Sequence, residues 1–168
     1  MKRRLTLALL GAGLCLVAVG AVEKQPVLIY NPSPSASIGW YKVIHSNDYK
    51  IGDLVAANIP EWAAQLAHSR GYLPKDVPVI KTIIAAPGSQ FCIRGGSLIV
   101  ADFVPFEIYS TDSQRREMPV QPEGCRSLEA GEFLLASVNY DQSFDSRYFG
   151  SVGHSDLIGQ VKFIGEVE

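Results

Sequence analysis

"VPVIKTIIAAPG", Val77 to Gly88, decides how the rest of the chain is read. It is rich in branched apolar residues and closes on a Pro-Gly turn, the pattern of a strand. Side chains alternate along a strand, so Val79, Lys81 and Ile83 share one face and Ile80, Thr82 and Ile84 the other. Both faces are mostly apolar, as in a strand covered on two sides. A lysine is expensive there, because burial penalises its charged form and favours the neutral amine. A neutral amine beside a serine hydroxyl can take its proton and make the oxygen a nucleophile. The plainer alternative puts Lys81 at a sheet edge with its ammonium extended to solvent. The strand alone leaves both open.

Further segments of strand character lie on either side: "PVLIY" (Pro26–Tyr30), "IGWYKVI" (Ile38–Ile44), "GDLVAANI" (Gly52–Ile59), "SLIVADF" (Ser97–Phe103), "EFLLASV" (Glu132–Val138) and "LIGQVKFI" (Leu157–Ile164). "PEWAAQLAHSRG" (Pro60–Gly71) reads as a short helix, opened by proline with Glu61 in its first turn and closed by glycine. Between Pro105 and Glu129 the composition turns polar, and "STDSQRRE" reads as an exposed loop or hairpin. Many short strands and one short helix predict a mainly β protein built as an irregular antiparallel β domain.

The chain has 168 residues, a length that suits one domain and an accessory segment. Lys2, Arg3 and Arg4 precede Leu5–Val22, an apolar stretch without charge. That length predicts a retained transmembrane signal-anchor over residues 1–22 and an extracytoplasmic domain over 23–168. The small residues "VGA" (Val19–Ala21) leave a cleaved signal as the alternative. Cys15, inside the apolar stretch, reads as lipid-facing filler. Of 15 bases, three lie before Leu5, so the remainder is acidic against 17 Asp and Glu. Nothing in that balance suits nucleic acid, whose binders carry a basic face. In an oxidising compartment Cys92 and Cys125 are expected to pair as a disulfide, with two buried free thiols as the alternative. His45, His68 and His154 have none of the spacings that metal ligation favours, so no metal is expected.

"NPSPSASIGWY", Asn31 to Tyr41, poses a separate choice: a stalk behind the membrane, or a site of chemistry. Pro32 and Pro34 bias the residues before them toward extended backbone, which makes the stretch stiffer than a Gly/Ser linker. Composition goes no further.

Taken in order, "SASIGWY" (Ser35–Tyr41), "GDLV" (Gly52–Val55), the Lys81 strand and "SFDSRYFG" (Ser143–Gly150) resemble the sequence boxes of the bacterial type I signal peptidase superfamily. The last is the most specific. Asn31, Ser35, Gly39 and Tyr41 match the nucleophile box of the TraF-type conjugative transfer signal peptidases, and the helix-bearing insert and short span from Lys81 to Asp145 resemble that branch too. The resemblance implies the irregular antiparallel β fold of those enzymes behind an N-terminal membrane helix. It implies Ser35 as nucleophile and Lys81 as general base, with Ser33 helping the Ser35 N–H to form an oxyanion hole. Ser143 would orient the Lys81 amine, Asp145 and Arg147 would form an ion pair that holds the loop, and Gly52 and Asp53 would shape a turn. Ser37 stands as a rival nucleophile. Ile38 and Trp40 are expected to line substrate pockets, touch lipid, or pack as ordinary core.

The implied activity is a membrane-anchored serine endopeptidase acting on exported precursors at the outer face of the bacterial cytoplasmic membrane. In the conjugative branch the substrate is a pilin precursor, the product linear or cyclic, the setting a conjugative transfer machinery, and no cofactor is involved. A general signal peptidase is one alternative, although such forms often carry an extra β domain between the lysine and the aspartate. A non-catalytic anchored scaffold of a conjugation or secretion machine is the other.

Overall fold

The computed structural model describes residues 27–101 and 103–166. The expected anchor, Leu5–Val22, therefore lies outside the described residues, as does the boundary placed after residue 22. Among the described residues no helix is long and apolar enough to cross a membrane.

The chain runs β1 (Leu28–Asn31), β2 (Gly39–Ile44), β3 (Leu54–Ala57), α1 (Glu61–Ser69), β4 (Val79–Ala85), β5 (Gln90–Arg94), β6 (Ser97–Val100), β7 (Phe106–Glu107), β8 (Gly124–Ser127), β9 (Glu132–Ala136), α2 (Ser146–Phe149), β10 (Val152–Gly153) and β11 (Leu157–Gly165). Seven strands form one sheet in the order β1-β2-β11-β3-β4-β9-β10, and four form a second in the order β7-β6-β5-β8. The pairings between these strands are antiparallel. The mainly β, antiparallel reading holds. Two details differ from expectation. A second, one-turn helix forms at α2, inside the "SFDSRYFG" run. The polar stretch between Pro105 and Glu129 contributes β7 and β8, and exposed β8 ("GCRS") lacks the apolar alternation that marks a strand.

β4 holds the core together, because its residues belong to three apolar clusters at once. Val79 and Ile83 pack with Val55, Phe133 and Leu135. Ile80 packs with Ile29, Tyr41 and Val161. Ile84 and Ala85 pack with Phe91, Leu98 and Leu134, where the second sheet folds against the first. A strand covered on both faces has to be apolar on both, and Lys81 sits in the middle of it.

Two glycines set the geometry around this strand. Gly52, with φ +97°, donates its N–H to the Ile83 carbonyl, while the Asp53 carbonyl accepts from Ile83 N–H. The Asp53 carboxylate then accepts from Lys50 N–H and from Gln160 on β11. This turn fixes the register in which Val55 lies opposite Lys81. Gly39, with φ +140°, starts β2 where a Cβ would sit 2.4 Å from the Gly165 carbonyl oxygen. A side chain there would push β11 off β2.

Candidate active site

Asn31 ends β1 and organises the loop that follows. Its Oδ1 accepts from Ser33 N–H at 3.2 Å, an Asx turn. Its Nδ2 donates to the carbonyls of Ser33, Ala36 and Ser37 at 2.8, 3.1 and 3.1 Å. Tyr41 adds a hydrogen bond from its hydroxyl to the Ser37 carbonyl at 2.9 Å. The stretch is thus a pinned hairpin loop rather than the extended segment its prolines suggested: one asparagine satisfies several loop groups and curls the chain. Ser35 sits in the turn, its hydroxyl 3.1 Å from that of Ser33, and its N–H donates to Ser33 Oγ at 3.4 Å.

Lys81 reaches this loop from β4. Its side chain is 4 % exposed, and Nζ donates to Ser35 Oγ at 2.5 Å. The sheet-edge alternative is excluded, since Lys81 lies between paired strands β3 and β9. Burial is the main cause that holds its amine down to about 8, from an ordinary 10.5; the nearby Asp145 charge opposes this and Arg147 reinforces it. Lys81 therefore stays mostly charged at neutral pH but gives up its proton far more readily than an ordinary lysine.

Asp145 caps α2, accepting from Arg147 N–H at 3.2 Å. Its two oxygens face the Arg147 guanidinium in a bidentate pair, Nε to Oδ1 and Nη2 to Oδ2, both at 2.8 Å. The remaining guanidinium N–H groups donate to the carbonyls of Glu107, Asp141 and Tyr140. All five donors thus find acceptors, which is what permits a cation 1 % exposed. Through Glu107 on β7 the arginine also ties the second sheet to the loop before α2. Ser143 departs from expectation. Its hydroxyl is buried without any hydrogen-bond partner, so the expected bond to the Lys81 amine is not formed; that amine is turned to Ser35 instead.

Ser33, Ser35, Lys81 and Ser143 line one cleft of about 240 Å³. Ser37, Ile38 and Trp40 do not; Ile38 and Trp40 are exposed. The far wall comes from segments to which the sequence reading assigned no role. Tyr72, just after α1, donates its hydroxyl to Asp112 Oδ2 at 2.5 Å, and Arg116 Nε donates to the same oxygen at 2.6 Å. Burial works against ionisation of Asp112, but these hydrogen bonds outweigh it and hold the carboxyl well below the usual carboxylate range. The helix-bearing insert and the polar loop are thereby fastened together across the cleft. Ser137, at the end of β9, was also passed over. Its hydroxyl donates to the Ser35 carbonyl at 2.6 Å, a contact 102 residues apart in sequence that no local pattern signals.

Away from the cleft, Cys92 and Cys125 are joined in a disulfide across β5 and β8. Among the described residues no group of three or more His, Cys, Asp or Glu side chains is placed to hold a metal ion.

The family model described as signal peptidase, peptidase S26, matches residues 2–165. A conjugal transfer protein TraF from Agrobacterium fabrum (strain C58) is 31 % identical over 171 residues, covering 95 % of this chain and 94 % of the relative. A plasmid transfer protein TraF from Escherichia coli is 30 % identical over 95 residues, 55 % of this chain and 54 % of the relative. Among solved structures, a signal peptidase I from Enterococcus faecalis V583 aligns with a TM-score of 0.40 and 18 % identity, covering 68 % of this chain and 97 % of that one. The family match and the Agrobacterium relative run through nearly the whole chain, and on them the protein belongs to the signal peptidase family, peptidase S26, in its TraF-type branch.

Proposed function

We propose that the protein is a membrane-anchored serine endopeptidase that matures an exported precursor, a conjugative pilin subunit being the substrate its sequence boxes imply, in keeping with relatives named for conjugal and plasmid transfer. The observation that carries this reading is the 2.5 Å contact from the Lys81 amine, buried and with its proton affinity lowered, to Ser35 Oγ. Neutral Lys81 takes the Ser35 hydroxyl proton as the oxygen attacks the scissile carbonyl. The Ser35 N–H and Ser33 hydroxyl, adjacent at rest, turn to the developing oxyanion. The Lys81 ammonium then protonates the leaving amine, and an ester to Ser35 remains. Water resolves it to a linear product, or the substrate's own amino terminus resolves it to a cyclic one. Ser143, unpartnered at rest, is placed in the cleft to accept from the amine once Ser35 is acylated.

Placement at the outer face of the cytoplasmic membrane is supported by the sequence of Leu5–Val22 and by the outer surface of the β1–β2 hairpin. There Leu28, Tyr30, Trp40 and Ile44 are exposed, with the Tyr30 and Trp40 rings edge to face at 5.3 Å. Aromatic side chains of this kind suit a membrane interface.

The test is cleavage of a co-expressed pilin-like precursor by the wild type, Ser35→Ala and Lys81→Ala, read by mass spectrometry. Both variants are expected to leave the precursor uncut, and a wild-type product about 18 Da lighter than the linear fragment identifies ring closure. Unchanged processing by both variants sinks the assignment and favours an anchored scaffold.

A further inference from the structure

We propose that Ser137 is a positioning residue that holds the nucleophile in place, clamping the Ser35 backbone carbonyl through its side-chain hydroxyl. The proposal rests on Ser35 being the nucleophile and adds how the fold keeps it aimed at Lys81.

Ser35 lies in a hairpin loop outside the strands, so no sheet ladder fixes it. Its N–H contact to Ser33 is long, 3.4 Å, and joins two residues of the same loop. Such contacts shape the loop but do not tie it to the sheet that carries the base. Among the described residues, the Ser35 carbonyl has one hydrogen-bond partner, the Ser137 hydroxyl at 2.6 Å. Ser137 follows β9 directly, and Ala136 pairs with Thr82 of β4. One further step in that antiparallel register brings Ser137 level with Lys81. Neighbouring strands of the same sheet therefore supply the base and the clamp, and both reach the Ser35 loop.

The clamp is itself held. Ser137 is 5 % exposed, and its N–H donates to Asp145 Oδ2 at 3.1 Å. The second partner of that oxygen is Arg147 Nη2. A continuous path thus runs from the buried ion pair through the Ser137 backbone and hydroxyl to the nucleophile's own carbonyl. This gives the Asp145–Arg147 pair a physical route to the reacting oxygen, which neither of its members touches. Displacing a reacting group by about 1 Å can lower the rate about 100-fold. Ser137→Ala removes the clamp and leaves Ser33, Ser35 and Lys81 in the sequence, so its expected signature is a lower kcat at near-constant KM.

The experiment measures precursor cleavage by the full chain in detergent micelles for the wild type, Ser137→Ala, Ser137→Thr and Ser35→Ala, well below the lowest melting temperature of the set. Expected is a fall in kcat of about 10- to 100-fold for Ser137→Ala, with KM within about twofold and substantial recovery in Ser137→Thr, which restores a hydroxyl. The pH at which the rate levels off should stay at the wild-type value, because the base itself is untouched. A kcat for Ser137→Ala within about twofold of wild type overturns the proposal. So does a loss that appears in KM, or a Thr variant of wild-type thermal midpoint no better than Ala. Retained cleavage by Ser35→Ala would instead remove the nucleophile assignment on which the proposal stands, so the two failures are distinct.

Discussion

Replacing Lys81 with Met should stabilise the fold while abolishing the proposed chemistry. Met is unbranched, similar in length and uncharged, so it fits a strand buried on both faces. The magnitude follows from the amine. It binds a proton with a pKa of about 8 when folded, against 10.5 ordinarily. At about 1.4 kcal/mol per tenfold change in proton affinity, burying the charge costs about 3 kcal/mol. The variant loses the bond to Ser35, about 1 kcal/mol, so its net gain is about 2 kcal/mol. The sign depends on pH. Below about 8 the lysine is protonated in both states, and the full penalty acts on the wild type. Between about 8 and 10.5 the folded state has released the proton while the unfolded chain still holds it, so wild-type stability climbs with pH relative to the variant. Above 10.5 the penalty is gone and the wild type leads by the hydrogen bond. Urea unfolding of both full chains in detergent at pH 7, 8.5 and 10 measures this, the difference between them cancelling the titration of other groups. A variant no more stable than wild type at pH 7, or a gap unchanged from pH 7 to 10, would refute the claim that burial suppresses the Lys81 charge.

The same amine predicts the activity profile: cleavage by the wild type should rise about tenfold per pH unit below about 8 and level above it, as the neutral base becomes fully populated. A rate already flat at pH 6 would rule out Lys81 as a base with that proton affinity. Asp145→Asn leaves the Arg147 cation, 1 % exposed, without its countercharge, and should lower stability by about 3–5 kcal/mol in the same unfolding assay. Reduction of the Cys92–Cys125 bridge, which closes a loop of 33 residues in separation, should lower stability by about 3–4 kcal/mol. Processing should persist below the reduced protein's melting temperature, because neither cysteine lines the cleft.

Much of this architecture was legible in the sequence. β2, β4, β9 and β11 announced themselves through branched and aromatic residues, because a strand that faces a core must be apolar there. α1 was marked by Pro60, Glu61 and Gly71. By contrast, β8 carries four exposed residues and owes its existence to β5 beside it and to the disulfide. The Asx turn at Asn31 was missed for a different reason. Its side chain answers carbonyls two to six residues away, and proline preferences describe single residues rather than such a cluster.

The site divides along the same line. By itself the sequence determined which residues are chemically unusual, since an isolated lysine in an apolar strand stands out against a pattern set by burial. It also determined the residue types of the Ser-Lys and Asp-Arg boxes, whose members are close to one another or follow in a fixed order. The resemblance pointed to Ser35, and the tertiary structure shows physically why the lysine meets that serine. Ser33, Ser35 and Ser37 lie within five residues, and only the curl of the loop turns Ser35 Oγ toward Lys81. Tertiary structure also supplied Ser137 and the Tyr72–Asp112 wall, formed by hydrogen bonds across 102 and 40 residues. A hydroxyl or carboxylate has the same local propensity whether or not a distant partner awaits it, so such contacts leave no trace in the pattern and arise only when the strands are brought together.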